Sequence, residues 1–177
     1  LVGYAESHDE QRLMYKNLEF GNSSGDYDVT ELNTALARQE AVAAFLYPQR
    51  GPKMLWQFGE LGYEFHINLC EDGSIQEDCR TSPKPIRWDY QDVPARERLF
   101  KVTAALIKLK TVNEAFRSDN YTWDVGGLEK RLIIQHPEMD VVIIANFDVV
   151  PQSILPGFTQ TGTWYDYFTG ESIVEEN

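Results

Sequence analysis

Residues 4–12 read Tyr4-Ala5-Glu6-Ser7-His8-Asp9-Glu10-Gln11-Arg12, and the fold turns on what this stretch is. It overlaps Leu1-Val2-Gly3-Tyr4-Ala5, a short, apolar, uncharged run. Such a run suits a strand buried on both faces of a parallel sheet. The polar set from Glu6 to Arg12 then falls at the strand's C-terminal end, with an imidazole and several carboxylates facing outward. An ordinary polar loop is the competing reading, because an Asp after a strand often caps a turn and a lone His is usually packed or solvated.

Downstream, Gly21-Asn22-Ser23-Ser24-Gly25-Asp26 marks a loop. Asp28 or Thr30 is placed to cap a helix starting near Glu31, in which Leu32, Leu36, Ala43 and Leu46 recur at helical spacing until Pro48 stops it. Gly51-Pro52 precedes a second compact run, Lys53-Met54-Leu55-Trp56-Gln57-Phe58, and Gly59-Glu60-Leu61-Gly62-Tyr63 follows as a loop. From Glu64 to Tyr90 the sequence is too irregular for regular structure, and loops this long are usually functional or lid-like. Asp92 is placed to cap, and Pro94 to open, a helix to about Lys110 with Leu99, Val102, Leu106 and Leu109 on one face. Residues 1–117 therefore read as two βα units.

Beyond Arg117 the texture changes to short β-rich runs: Tyr121 to Val125, Leu132 to His136, Val141 to Phe147 and Thr163 to Phe168. Pro137-Glu138-Met139-Asp140 makes a hairpin turn between the middle two. Residues 118–177 are expected to form an antiparallel β domain. A further strand is expected where Ile173 and Val174 end the chain, which suggests truncation there.

The formal net charge is -12, and the 16 basic residues form no long cluster, so nucleic acid and anionic membrane are poor partners. No apolar run approaches the roughly 20 residues that span a bilayer. The chain opens on Leu1 rather than Met and reads as a piece of something longer, so a missing leader says nothing about destination. Cys70 and Cys79, the two cysteines, lie in a Gly- and Asp-containing loop at a separation a disulfide spans, and no His stands beside them to complete a zinc site. A disulfide is expected ahead of two free thiols. That leans the compartment toward extracellular or periplasmic and leaves the cytoplasm open.

Two βα units with polar residues after each strand are what part of a (β/α)8 barrel looks like. Here Tyr4-Ala5-Glu6-Ser7-His8-Asp9 resembles the Phe-x-x-Asn-His-Asp motif that ends the seventh barrel strand in the α-amylase family of retaining glycoside hydrolases. The run from Gly51 to Tyr63 resembles the family's eighth strand and its Gly-x-Glu-x-Gly loop, and the order of the rest, a final barrel helix and then an antiparallel β-sandwich, agrees. The resemblance spans almost the whole chain. It departs from the family pattern at Tyr4 and Ser7, and the Ser-His-Asp version is also seen in glycogen branching enzymes.

Retaining glycosidases use a nucleophilic carboxylate and a carboxylic acid roughly 5 to 5.5 Å apart. The family takes these from its fourth and fifth strands, which the resemblance places outside this chain. The resemblance implies that Asp9 is the third carboxylate, which binds sugar hydroxyls, favours the distorted oxocarbenium-like ring and helps keep the neighbouring acid protonated. It implies that His8 donates to a sugar hydroxyl in the same subsite. Glu10 and Arg12 continue the loop and could line its rim, although a surface ion pair is the blander role for both. Glu60 and Tyr63 lie beyond the second strand and could reach a glucan.

Trp56 reads as barrel core and Trp88 as structural. Trp123, Trp164, Tyr165 and Tyr167 could stack on pyranose faces, with alternation sending one aromatic set into the core. His66 and His136 are assigned no site. The expectation is thus a partial (β/α)8 barrel followed by an antiparallel β-sandwich, from an enzyme that hydrolyses α-1,4 bonds in starch or glycogen and is inactive as this fragment. The alternatives are a branching enzyme or other transglycosylase, and a non-catalytic carbohydrate-binding module. No metal or cofactor is expected in this chain, with calcium left open for the parent protein. The partner is an α-glucan, and the exposed barrel edge invites self-association.

Overall fold

The computed structural model describes residues 1–176. Apolar residues recurring at helical spacing give α1 (Leu13–Phe20), α2 (Leu32–Leu46) and α3 (Pro94–Val112). The last two match the expected ranges closely, and Pro94 takes the first helical position, where its missing N–H is not needed. The acidic caps are corrected: no side chain caps α2 or α3. Asp28 instead accepts from the Thr30 N–H (2.8 Å) and hydroxyl (2.7 Å), forming an Asx turn ahead of α2.

The α1 helix lies where no helix is expected from the sequence. Its eight residues are too few for a clear periodic signal, and a helix this short holds only by packing. Met14 and Leu18 supply that packing against Ala35, Leu36 and Leu99, so α1, α2 and α3 share one apolar cluster. The α2 and α3 helices meet again through Ala43, Tyr47 and Leu106.

The two expected parallel strands shrink to a single parallel bridge between Gly3 and Lys53. The Gly3 N–H donates to the Pro52 carbonyl (3.0 Å), and the Met54 N–H donates to the Gly3 carbonyl (2.9 Å). Regular parallel strands form in sheets covered on both faces and paired on both edges, and two short segments alone supply neither. Every regular strand pair among the described residues is antiparallel.

A small hairpin pairs β1 (Ser23–Ser24) with β2 (Tyr27–Asp28). Farther on, β3 (Tyr121–Asp124), β4 (Glu129–Ile134) and β5 (Val141–Asn146) make a three-stranded sheet in that order, and β6 (Gly162–Tyr165) pairs with β7 (Ser172–Glu175). The run at Ile173 and Val174 belongs to β7 and pairs with β6. The domain expected over 118–177 ends on Asn177, which lies outside the described residues.

Leu132 and Ile134 of β4 pack against Phe45 of α2, Leu109 of α3 and Phe116, so one apolar cluster crosses the boundary expected near residue 117. A guanidinium ties the same regions together: Arg38 of α2 donates to the carbonyls of Phe147 (2.7 Å) and Asp148 (3.1 Å). The result is a mixed α and antiparallel β fold with the three-stranded sheet backed by helices. No helix among the described residues is long and apolar enough to cross a membrane.

Candidate functional site

The Gly3–Lys53 bridge brings the two motif-bearing stretches side by side and parallel, so both polar loops leave in the same direction. Glu6, next after Ala5, turns inward and is buried. Its Oε2 accepts from the Leu13 N–H (2.8 Å), satisfying one of the orphan donors at the start of α1, and its Oε1 lies 3.5 Å from Arg12 Nη1. Burial pushes the Glu6 carboxyl above its ordinary value, against the Leu13 N–H and the Arg12 charge, which pull it down.

Arg12 is not on a rim or in a surface pair: its residue is 1% exposed. The guanidinium lies 5.4 Å from the centre of the Trp56 ring and 5.0 Å from that of Tyr63, and Nη2 donates to Gln57 Oε1 at 3.2 Å. Arg12 thus clamps the YAESHDEQR stretch onto the second motif. It is buried because α1 starts at Leu13 and turns the preceding side chain under the loop, which no spacing in the sequence reveals.

Above this clamp, Ser7 to Glu10 form a tight turn. The Ser7 hydroxyl accepts from the Asp9 N–H (3.1 Å) and donates to the Glu10 carboxylate. This leaves the His8 and Asp9 side chains 59% and 69% exposed, with His8 Nε2 3.3 Å from Asp9 Oδ2. The His8 ring sits 5.8 Å from Trp56, which is half-buried, with its Nε1 turned inward. His8, Asp9 and Glu10 therefore share one polar turn, the first two exposed and Glu10 half-buried.

Tyr63 and Glu60 are placed otherwise. Tyr63 is buried, donates its hydroxyl to the Pro85 carbonyl (2.6 Å) and stacks on Phe58 at 5.7 Å, so it does not face outward to a glucan. Glu60 is half-buried on the turn Gly59–Leu61. Its carboxylate and that of Glu6 act together with burial to push the Tyr47 hydroxyl up to about 12, burial being the largest cause. Trp88 is exposed and meets Phe58 edge to face at 4.9 Å.

The second loop is held from α3. Arg96, buried, donates to the carbonyls of Leu61 (2.8 Å) and Gly62, pairs with Glu64 at 3.1 Å and lies 3.8 Å from the Tyr90 ring centre. Gly62 has φ +68, and a Cβ there would stand 2.3 Å from Leu36, so both conformation and space require glycine. Phe58 also takes a left-handed φ of 56 without being glycine, a strained backbone held by its ring contacts with Tyr63 and Trp88.

Cys70 and Cys79 form a disulfide, their Cα atoms 5.1 Å apart. The next residue, Arg80, donates to the Asp9 carbonyl at 2.9 Å, and Lys84 donates to the carbonyls of Leu69 (2.8 Å) and Cys79 (2.6 Å). The irregular 64–90 segment thus packs its cross-linked part against the His8–Asp9 turn. Gln11 adds a second tie, its Oε1 accepting from the Ile67 N–H at 2.9 Å.

Glu6, Gln57 and Arg80 shape the site without any motif marking them. The signal for Glu6 in the sequence is its place at the end of an apolar run; Gln57 and Arg80 carry none. Among the described residues, no group of three or more His, Cys, Asp or Glu side chains is placed to hold a metal ion. No protein-family model matches the chain, and no curated protein matches it.

Proposed function

We propose that the chain is the C-terminal part of a retaining α-glucan-active glycoside hydrolase of the α-amylase kind. In this proposal it contains the last two βα units of the catalytic barrel and the β domain that follows. Asp9 is the carboxylate that stabilises the transition state, and His8 donates to a sugar hydroxyl beside it. What supports this reading is the parallel Gly3–Lys53 bridge, which sets the two motif-bearing segments side by side with His8 and Asp9 exposed at their common end. The Trp56 ring beside His8 gives a flat apolar surface where a pyranose would lie.

The nucleophile and general acid belong to sequence outside these 177 residues, so the chain alone releases no reducing sugar from soluble starch. In the full-length protein, Asp9→Asn lowers kcat by about 100-fold while KM moves far less, because the interaction lost is made in the transition state. Starch hydrolysis by the 177-residue chain, or an Asp9→Asn enzyme that keeps its kcat, overturns the proposal. A transglycosylase reading draws on Ser7, whose hydroxyl holds the Asp9 N–H where the family's commoner pattern has Asn. New α-1,6 branch points without a matching rise in reducing ends would favour it.

Leu1, Val2, Tyr4 and Leu55 lie exposed around the bridge, and in this proposal they are barrel surface. The isolated chain then self-associates through them. Light scattering that shows a monomer over the concentrations where the sheet is folded counts against that.

A further inference from the structure

The β3 strand is the edge of its sheet, and its side chains alternate. Tyr121 and Trp123 point to the face that carries Ile134 and Leu132, their register partners on β4. Those two partners are buried under Phe45 and Phe116, whereas Tyr121 is 41% and Trp123 55% exposed. The apolar face of the sheet therefore runs past the helices that cover it and ends in two aromatic rings open to solvent.

The two rings stand 5.6 Å apart at 77°, forming a corner: Trp123, the more exposed, is a platform and Tyr121 a wall. Behind them is a cavity of about 90 Å³, bordered also by Gln49, Arg50 and Ser118. With room for only a few water molecules, it is too small to enclose a sugar ring, so a ring would lie across its mouth. Arg50 is at the rim, exposed and paired with Asp119. Planar polar groups around an aromatic platform are the chemistry that takes a pyranose: C–H faces stack on the ring, and hydroxyls meet the guanidinium, amide and carboxylate.

Two aromatics of the later hairpin are engaged within the chain. Trp164 stacks on Phe158 at 4.6 Å and donates its Nε1–H to the Gln160 carbonyl, and Tyr167 donates to the Ala105 carbonyl. The formal charge of -12 disfavours polyanionic ligands, leaving neutral polysaccharides.

We propose that Tyr121 and Trp123, with Arg50 at their rim, form a carbohydrate-binding site on the β3 edge that takes a hexopyranose of a neutral polysaccharide chain. The choice of an α-glucan as its natural ligand rests on the function proposed above; the site itself does not.

The test is affinity electrophoresis of the 177-residue chain through gels containing soluble starch, hydroxyethyl cellulose or no polysaccharide. The wild-type chain is expected to be retarded by starch. Trp123→Ala should weaken retardation at least about fivefold, and Tyr121→Ala and Arg50→Gln by less. Trp123→Phe, which keeps a ring, recovers part of the loss, and thermal unfolding checks that each variant is folded. Tyr165→Ala, which removes another exposed aromatic, leaves retardation unchanged. Retardation by cellulose alone, lost in Trp123→Ala, supports the site while overturning the α-glucan reading. No retardation by either polysaccharide, or equal loss in Tyr165→Ala and Trp123→Ala, overturns the site. Retardation that survives both Tyr121→Ala and Trp123→Ala also overturns it and points to binding elsewhere.

Discussion

The chain joins extended segments in two ways. Between β4 and β5 six residue pairs zip up from one short turn, and the sheet's face is backed by Phe45, Leu109 and Phe116. Between Leu1–Ala5 and Lys53–Phe58 one bridge forms, and the segments are held mainly by side chains: Arg12 between Trp56 and Tyr63, Glu6 on the first turn of α1, and Arg96 on the second loop. The difference is one of locality. A hairpin recruits its partner from a few residues away, while a parallel pair needs a long crossover and neighbours on both edges. The chain's regular ladder is therefore where it is least chemical, and its motif residues sit where buried ions and aromatic rings replace the ladder.

The largest expected effect tests the sheet. Leu132→Ala empties a fully buried position in the cluster that joins β4 to the helices, and should lower unfolding stability by about 3 kcal/mol in urea titrations. If the two regions unfold as one unit, Trp fluorescence and circular dichroism will shift together; separate transitions would break the link that Phe45 and Phe116 make.

Arg12→Met tests the other region, with a loss of about 3 kcal/mol because Glu6 is left buried and uncompensated. Adding Glu6→Gln should recover more than half of that loss, since an amide needs no counter-charge. Failure to recover would place the stabilising contribution in the ring contacts of Arg12 rather than in its charge.

Cys70→Ser with Cys79→Ser removes a short cross-link and should lower stability by about 2 kcal/mol. It should also speed amide exchange at Ile67 and Leu69, whose loop leans on the His8–Asp9 turn. His8→Ala and Asp9→Asn, by contrast, should change stability by under about 0.5 kcal/mol, because both side chains are exposed.

A pH-dependent effect concerns Lys110. Its ammonium and that of Lys53 share the carbonyls of Gln49 and Gly51, and burial first, then Lys53, pulls Lys110 down to about 8. The folded chain therefore binds fewer protons there than the unfolded chain at alkaline pH. Stability from this group is present above its ordinary value and is lost as pH falls through about 8. Raising pH from 8 toward 10 should increase the urea midpoint of the wild type, and Lys110→Met should flatten that rise. Above that window Tyr47 and Tyr63, both pushed up to about 12 by burial, hold their protons when folded and reverse the trend.

What the sequence could show follows from the range of the forces involved. Helical spacing with Pro48 and Pro94 marks α2 and α3, and alternation with the Pro137–Asp140 turn marks β4 and β5, because each signal lies within one element. His8, Asp9 and Glu10 are legible as a shared polar turn because they are adjacent in the chain. Arg12 reads as a rim residue, and the structure buries it, because its place depends on a partner 44 positions away. The α1 helix is hidden for the same reason: its stabilising contacts are on α2 and α3. By itself, then, the sequence determined the two longer helices, the hairpin of β4 and β5, and a polar turn carrying His8 and Asp9. Only the tertiary structure decided that Arg12 and Glu6 go under that pair, that Arg80 reaches it from the disulfide loop, and that the sheet's aromatic edge stays open. Burial and long-range ion pairing are properties of the packed chain, and no local pattern encodes them.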